Sequence, residues 1–238
     1  MTTTTLISGS QSGIGKALVI EQLKIGPVIS LSRHPEPPEQ LRHDQLTHIQ
    51  VDLTQGDSVA ALKSELAGQV IQRVFACQGV LHSPQQQPEK SLQALSSDWL
   101  MHSIQTNVMC HVHLAQALAG NVSRRQPLRW LSLSAKVGSI EDNRLGGWYS
   151  YRMSKAALNM WIKNLAIEWG RKSPESIIAA IHPGTTDTDL SQPFQANLSD
   201  DKLYSSTLTA QRLSQVMANL TAQDHGKLLF WDGSHLPW

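Results

Sequence analysis

The chain has 238 residues, and its 20 basic and 19 acidic side chains nearly cancel. That length fits one domain, residues 1–238, and a hydrophobic content of 40% excludes a disordered chain. The balanced charge excludes the basic surface typical of nucleic-acid-binding proteins. Two cysteines, no apolar run of membrane-spanning length and no signal-peptide pattern predict a cytoplasmic protein without a membrane partner.

Short apolar runs with strand character alternate along the chain with segments of helical periodicity. The predicted strands are 5–8, 28–32, 48–51, 74–77, 129–134, 176–181 and 226–231. The predicted helices are 14–24, 57–66, 98–118, 151–169 and 210–220. This alternation predicts an α/β fold in which a doubly wound parallel sheet of about seven strands has helices on both faces.

The first predicted strand leads directly into a glycine-rich turn, Ser8-Gly9-Ser10-Gln11-Ser12-Gly13-Ile14-Gly15. Glycines between a strand and a helix let the backbone approach a pyrophosphate and direct helix N–H groups towards it. The spacing matches neither the P-loop nor the G-x-G-x-x-G fingerprint. A turn without a ligand is the alternative, but the flanking strand and helix favour a nucleotide site.

This turn resembles the T-G-x-x-x-G-I-G cofactor loop of the short-chain dehydrogenase/reductase superfamily, with serine in place of the threonine. The resemblance covers essentially the whole chain and implies a Rossmann-type, NAD(P)-binding oxidoreductase domain. Residues 138–152 are most similar to the C-factor and Sniffer-like carbonyl reductases. The resemblance implies cofactor contacts from six residues of the turn: Gly9, Ser10, Ser12, Gly13, Ile14 and Gly15.

The end of the second predicted strand indicates which cofactor the site takes. Ser32 and Arg33 stand where an NAD site of this type carries an acidic residue for the ribose hydroxyls. The permanent charge and forked donors of arginine suit a 2′-phosphate, so this pair favours NADP(H) over NAD(H); a solvated surface arginine is the alternative. The resemblance also implies that Asp52 and Leu53 contact the adenine, whereas an aspartate capping a turn is the alternative.

Two later segments match the family's cofactor motifs to different degrees. Ala76-Cys77-Gln78-Gly79 replaces the family's N-N-A-G and retains only Gly79, which we predict contacts the cofactor. After the sixth predicted strand the chain matches P-G-x-x-x-T. The resemblance implies cofactor contacts from four residues of that segment: Pro183, Gly184, Thr186 and Thr188.

Tyr151 and Lys155 form a Y-x-x-x-K pair, and residues four apart share one face of a helix. Ketone reduction needs a proton donor, and a nearby lysine charge is expected to lower the phenol pKa from about 10. Tyr149 is a weaker candidate, since no lysine follows it four residues later. The resemblance implies that Tyr151 is the general acid/base, that both residues contact the cofactor, and that Asn107 relays protons through a water.

The catalytic serine of the family has no direct counterpart in this chain. Its position in the family's S-S-x-x-G motif falls on Ala135. We predict that Ser134 takes the catalytic role through a bulge or a one-residue shift at the strand end. Ser132, on the same strand face, and Ser139 are the alternatives.

These residues together predict an NADP(H)-dependent oxidoreductase that transfers a hydride between nicotinamide and a small carbonyl or alcohol substrate. A cofactor-binding regulatory or signalling protein with little catalysis is the alternative, favoured by Ala135 and the altered N-N-A-G. No metal site is predicted, because His111 and His113 point apart on a helix. The resemblance leaves a homodimer and a homotetramer open, both formed through the two long helices. Trp148 is predicted to shape the substrate pocket.

Overall fold

A central sheet of eight strands organises the protein, whose computed structural model describes residues 3–196 and 198–238. The strands are β1 (Thr4–Ser8), β2 (Val28–Ser32), β3 (Leu46–Gln50), β4 (Ile71–Ala76), β5 (Arg129–Leu133), β6 (Ile177–His182), β7 (Thr185–Thr186), β8 (Leu203–Tyr204), β9 (Leu228–Phe230) and β10 (His235–Leu236). The helices are α1 (Gly13–Leu23), α2 (Ser58–Glu65), α3 (Ser97–Ile104), α4 (Cys110–Leu118), α5 (Tyr149–Lys172) and α6 (Ser206–Asn219). Strands β7 and β8 form a separate two-stranded sheet.

The strand order of the main sheet is β10-β9-β6-β5-β4-β1-β2-β3, and every pair except β9–β10 is parallel. The predicted doubly wound parallel sheet is therefore confirmed. Because the chain moves from β1 outward to β3 and then returns to β4 on the other side, a crevice opens at the carboxyl ends of β1 and β4. Ligands bind at such crevices in sheets of this type.

The inner strands of the sheet are covered on both faces, and β6 accordingly has a nearly continuous apolar sequence, whereas the edge strand β3 is partly exposed. On one face, α2, α4 and α5 pack over side chains such as Leu6 and Trp130. On the other face, α1 and α6 pack over side chains such as Ile7 and Leu131. Among the described residues, no helix is both long enough and apolar enough to cross a membrane.

The structure differs from the predicted elements in two places that matter for the site. The predicted helix 98–118 is divided by a π-helical turn, Gln105–Met109, which separates α3 from α4. The predicted last strand is followed by β10, whose His235 and Leu236 pair antiparallel with β9 after a tight turn. A two-residue strand has no periodicity, so the sequence could not indicate it.

Candidate active site

The glycine-rich turn lies at the crevice and its backbone leaves no room for side chains. Gly9 and Gly13 have φ angles of 71° and 52°, which favour glycine. A Cβ on Gly15 would collide with the carbonyl oxygen of Gly9. Ser12 precedes α1 without capping it through its side chain, so the first N–H groups of the helix remain directed at the crevice.

The two remaining predicted residues of the turn have different surroundings. The buried Ser10 hydroxyl donates to the Leu31 carbonyl at 3.0 Å, which ties the turn to β2. Ile14 is half-buried and packs against the core below α1. The structure thus brings all six predicted residues of the turn to one edge of the sheet, and their contacts with a cofactor stay a prediction.

The end of β2 presents one buried hydroxyl and one exposed cation. Ser32 Oγ accepts from the backbone N–H of His34 at 3.1 Å, while Arg33 is exposed. The pKa of Cys110, at the start of α4, is raised to about 12, first by burial and then by the charge of Asp52, whereas the charge of Arg33 lowers it. The charges of Arg33 and Asp52 therefore both reach this thiol, although they follow different strands.

Asp52 and Leu53, the two residues predicted to contact the adenine, both make contacts that stabilise the fold. Asp52 Oδ1 accepts from the backbone N–H and the hydroxyl of Thr54 at 2.9 and 2.7 Å, so it caps a turn. Leu53 is buried in the core, and its carbonyl contacts Nδ1 of His113 at 2.8 Å. A role in adenine binding stays a prediction for both residues.

Gly79 marks the point where the cofactor crevice meets the residues predicted to be catalytic. A Cβ on this glycine would lie 3.4 Å from both Asn107 Oδ1 and Lys155 Nζ. The fully buried Asn107 accepts from Val80 N–H at 2.6 Å and donates to the Val80 carbonyl and to Ser154 Oγ. The Asn107 side chain therefore links the segment that follows β4 to helix α5. Asn107 also lies in the π-helical turn, and such turns are often found at functional sites.

Tyr151 and Lys155 lie together near the start of α5, with the Lys155 ammonium 5.8 Å from the centre of the phenol ring. Burial raises the pKa of Tyr151 above its usual value and lowers the pKa of Lys155 to about 8. The expectation that the lysine lowers the phenol pKa is thus wrong for this structure. The reason is that Lys155 donates to the Leu133 carbonyl at 2.8 Å, while the phenol packs among apolar side chains.

The side chain that packs against Tyr151 at the serine position is Ala135. Ser134 Oγ instead donates to Asn159 Oδ1 at 2.6 Å, and Asn159 donates to the Gly138 carbonyl. The predicted bulge is absent, since the β5–β6 register runs without interruption from Arg129 to Leu133 and continues with the bond from Ser134 N–H to Ile181. Strand alternation therefore directs Ser134 towards α5 and away from the phenol.

The two alternative serines are also engaged elsewhere. Ser139 Oγ accepts from the backbone N–H of Asp142 at 3.1 Å. Ser132 Oγ accepts from Trp130 Nε1 at 2.8 Å and bonds to His111 Nδ1 at 2.9 Å. The geometry thus brings none of the three candidate serines into the side-chain cluster around Tyr151.

His111 completes a buried chain of hydrogen bonds that the sequence analysis missed. Its Nε2 donates to the Gln78 carbonyl at 3.1 Å, so its Nδ1 must accept the Ser132 hydroxyl proton. Burial lowers the pKa of His111 to about 3, which keeps the ring neutral. Gln78 Oε1 also accepts from Ser8 Oγ at 2.7 Å. The chain joins β1, β4, β5 and α4 at the place where the family's N-N-A-G is altered.

The segment after β6 closes the crevice from the other side. Gly184 has a φ angle of 80°, and a Cβ there would lie 2.9 Å from the Tyr204 ring. Thr186 Oγ1 bonds to Thr209 Oγ1 at 2.8 Å, and Thr188 Oγ1 donates to the Thr186 carbonyl. A Cβ on Gly13 would lie 3.1 Å from the methyl group of Thr188, so this segment meets the glycine-rich turn. Pro183 is buried directly before it.

Comparison with known proteins agrees with this geometry. A family model described as short chain dehydrogenase matches residues 3–199. The 1-hydroxy-2-glutathionyl-2-methyl-3-butene dehydrogenase of Rhodococcus sp. (strain AD45) is 28% identical over 190 residues, which span 79% of this chain and 78% of that protein.

Two solved structures share the fold over the whole length of both chains. Carbonyl reductase Sniffer of D. melanogaster superposes with a TM-score of 0.84 at 22% identity, and the match covers 100% of each chain. A putative short-chain dehydrogenase/reductase from Burkholderia multivorans with bound NADP superposes with a TM-score of 0.83 at 25% identity, again over 100% of each chain. The predicted likeness to Sniffer-like proteins is confirmed.

Proposed function

The chain belongs to the short-chain dehydrogenase family of oxidoreductases, and we propose that it is an NADP(H)-dependent carbonyl reductase. The observation that carries the proposal is the position of Tyr151 beside Lys155, next to Gly79 at the carboxyl edge of the sheet. Because burial raises the pKa of Tyr151, the phenol keeps its proton at neutral pH. A protonated phenol can donate its proton to a carbonyl oxygen that is being reduced.

The residues around the crevice fit a nicotinamide dinucleotide. The glycine-rich turn packs tightly against its own backbone and against that of Cys77, where side chains on Gly9 or Gly15 would collide, so its backbone stays close to the crevice that the start of α1 faces. We assign the pyrophosphate to that helix start, the 2′-phosphate to Ser32 and Arg33, and the nicotinamide ribose to Lys155. The bound NADP was seen in the Burkholderia multivorans structure, which supports the same cofactor here.

In the proposed mechanism the cofactor supplies the hydride, and the protein orients the substrate and supplies the proton. Tyr151 donates its hydroxyl proton to the carbonyl oxygen as negative charge develops there. Lys155, whose ammonium donates to the Leu133 carbonyl, would bind the nicotinamide ribose and so position the cofactor beside the phenol. The three side-chain bonds of Asn107 hold its π-helical turn against the segment after β4 and against α5, and we assign the return of a proton to the site to this turn.

A turnover assay tests this function against the alternative of a regulatory protein, which the alanine at position 135 favours. Purified protein is incubated with NADPH and a panel of aldehydes, ketones and diketones, and oxidation of the cofactor is followed by absorbance. We expect turnover of part of the panel with NADPH and slower turnover with NADH. Tight NADPH binding without turnover of any compound would favour the regulatory function.

Arg33→Ala is expected to weaken NADPH binding by about 10- to 100-fold, because a charge-assisted pair of hydrogen bonds to the 2′-phosphate is lost. NADH has no such phosphate, and its Kd should change by less than about twofold. Both affinities are measured by titration calorimetry. Arg42→Ala is the matched control, since this exposed arginine lies in the segment between β2 and β3 and pairs there with the exposed Glu36. Equal losses for both cofactors in Arg33→Ala would contradict the assignment.

A further inference from the structure

Trp148 has a backbone conformation that its side chain disfavours. Its φ and ψ angles are 52° and 44°, and it is the one non-glycine residue with positive φ in the described part of the chain. Gly146 and Gly147 directly before it have φ angles of 62° and 65°. A bulky residue stays in this left-handed region only where the surroundings impose it, and such strain concentrates at functional sites.

Hydrogen bonds from two residues, Arg152 and Glu89, hold the backbone in this conformation. Arg152 Nε donates to the carbonyls of Gly146 and Gly147 at 3.2 and 3.1 Å, and its Nη1 donates to the Val137 carbonyl. The backbone carbonyl of the buried Glu89 accepts from Trp148 N–H, and its carboxylate accepts from the backbone and the hydroxyl of Ser150. These bonds fix the entry to α5 just before Tyr151.

The strained residue places its indole against the proton donor. The ring centres of Trp148 and Tyr151 are 6.3 Å apart, with the planes at 66°. Phe194, which follows the cofactor-binding segment, lies 5.0 Å from the indole. The same apolar cluster contains Leu81, Ala135, Val137 and Leu190, and the His82 ring lies at its edge, 5.7 Å from the ring of Phe194.

We infer that Trp148 is a specificity-determining residue and that the substrate is an uncharged carbonyl compound with an aromatic ring, or a similar flat apolar group, next to the carbonyl. This inference rests on the proposed reductase function. The ring stacks on the surface formed by Trp148 and Phe194 while the carbonyl oxygen reaches the Tyr151 hydroxyl. Aromatic rings pack favourably in edge-to-face and offset arrangements, whereas a charged group would lose its hydration without finding a partner among these side chains.

Trp148→Gly tests the inference cleanly, because glycine adopts the left-handed conformation without strain and the variant should fold. Three matched probes that share a ketone next to a second carbonyl separate the effect of the ring from the effect of charge. The probe 1-phenyl-1,2-propanedione has a ring and no charge, phenylglyoxylate has a ring and a negative charge, and 2,3-butanedione has neither. In the wild type we expect the phenyl diketone to have the highest kcat/KM of the three. Trp148→Gly should lower that value by about 10- to 100-fold more than it lowers the value for butanedione, mainly through KM.

Two further variants show whether the aromatic surface itself is responsible. Trp148→Phe should recover most of the lost kcat/KM for the phenyl diketone, since it restores a ring. Leu145→Ala, at a residue that is 92% exposed in the same loop, should change nothing. A parallel loss for both diketones in Trp148→Gly, or a wild-type preference for phenylglyoxylate, would overturn the inference.

A binding measurement keeps the inference separate from the reductase function. The phenyl diketone is titrated into protein saturated with NADP⁺, and its Kd is measured by titration calorimetry. Saturable binding to the wild type that weakens by about tenfold or more in Trp148→Gly supports the inference even if no probe is reduced. Absence of binding to the wild type overturns it, whereas absence of turnover alone counts against the proposed reductase function.

Discussion

Tyr151→Phe is expected to lower kcat for carbonyl reduction by about 10²- to 10⁴-fold, the contribution typical of a positioned general acid. The change removes one hydroxyl and leaves the ring, so its packing against Leu81 and Ala135 should persist. NADPH should lose at most about tenfold in affinity, because only the one hydroxyl of Tyr151 is removed, while the glycine-rich turn and the end of β2 are not altered. Steady-state kinetics and a cofactor titration measure the two effects separately.

The pH dependence of the two reaction directions sharpens this expectation. Reduction needs the protonated phenol, and because burial raises the pKa of Tyr151, that form is present throughout the neutral range. Alcohol oxidation needs the phenolate, so its rate should rise with pH in the wild type and lose this rise in the variant. Tyr149→Phe is the matched control, and its turnover should stay within about twofold of the wild type. Wild-type turnover in Tyr151→Phe would contradict the assignment.

The parts of the fold that depend on local sequence patterns were predictable. Strand β2 was predicted with the bounds 28–32 that the structure has, because its apolar residues lie between Gly26-Pro27 and the polar residues that follow Ser32. The glycine-rich turn was placed between β1 and α1 for a comparable reason, since Gly9 and Gly13 interrupt the pattern where positive φ angles are needed. Such features depend on a few neighbouring residues, and a single sequence contains them.

The parts of the site that depend on distant residues were not predictable. The role of Ser134 depends on Asn159, 25 positions later, and on an uninterrupted β5–β6 register. Phe194 meets Trp148 across 46 positions, a contact that no periodicity indicates. The pKa of Tyr151 also depends on distant residues. The sequence showed a lysine four residues away, but the apolar neighbours that raise the pKa come largely from other segments.

Ala135→Ser is expected to raise kcat for carbonyl reduction, by up to about 100-fold. The alanine packs against Tyr151 at the position that resembles the family's serine, so a hydroxyl there would lie beside the reacting oxygen. One donor aimed at a developing oxyanion typically contributes about 10²- to 10³-fold to the rate. Serine adds a single oxygen to a residue that is 7% exposed, and a melting curve shows whether the fold accepts it.

Ser134→Ala is the matched variant, and the two serine positions should respond in opposite ways. Removing the Ser134 hydroxyl leaves the buried Asn159 Oδ1 without its partner, so unfolding should become easier by about 1–3 kcal/mol while kcat changes little. A collapse of kcat in a folded Ser134→Ala, together with no gain in Ala135→Ser, would make Ser134 the catalytic serine. If the wild type is inactive and Ala135→Ser gains activity, the regulatory function is favoured. The groups for proton transfer would then be present in the wild type, which would lack activity because one hydroxyl is absent.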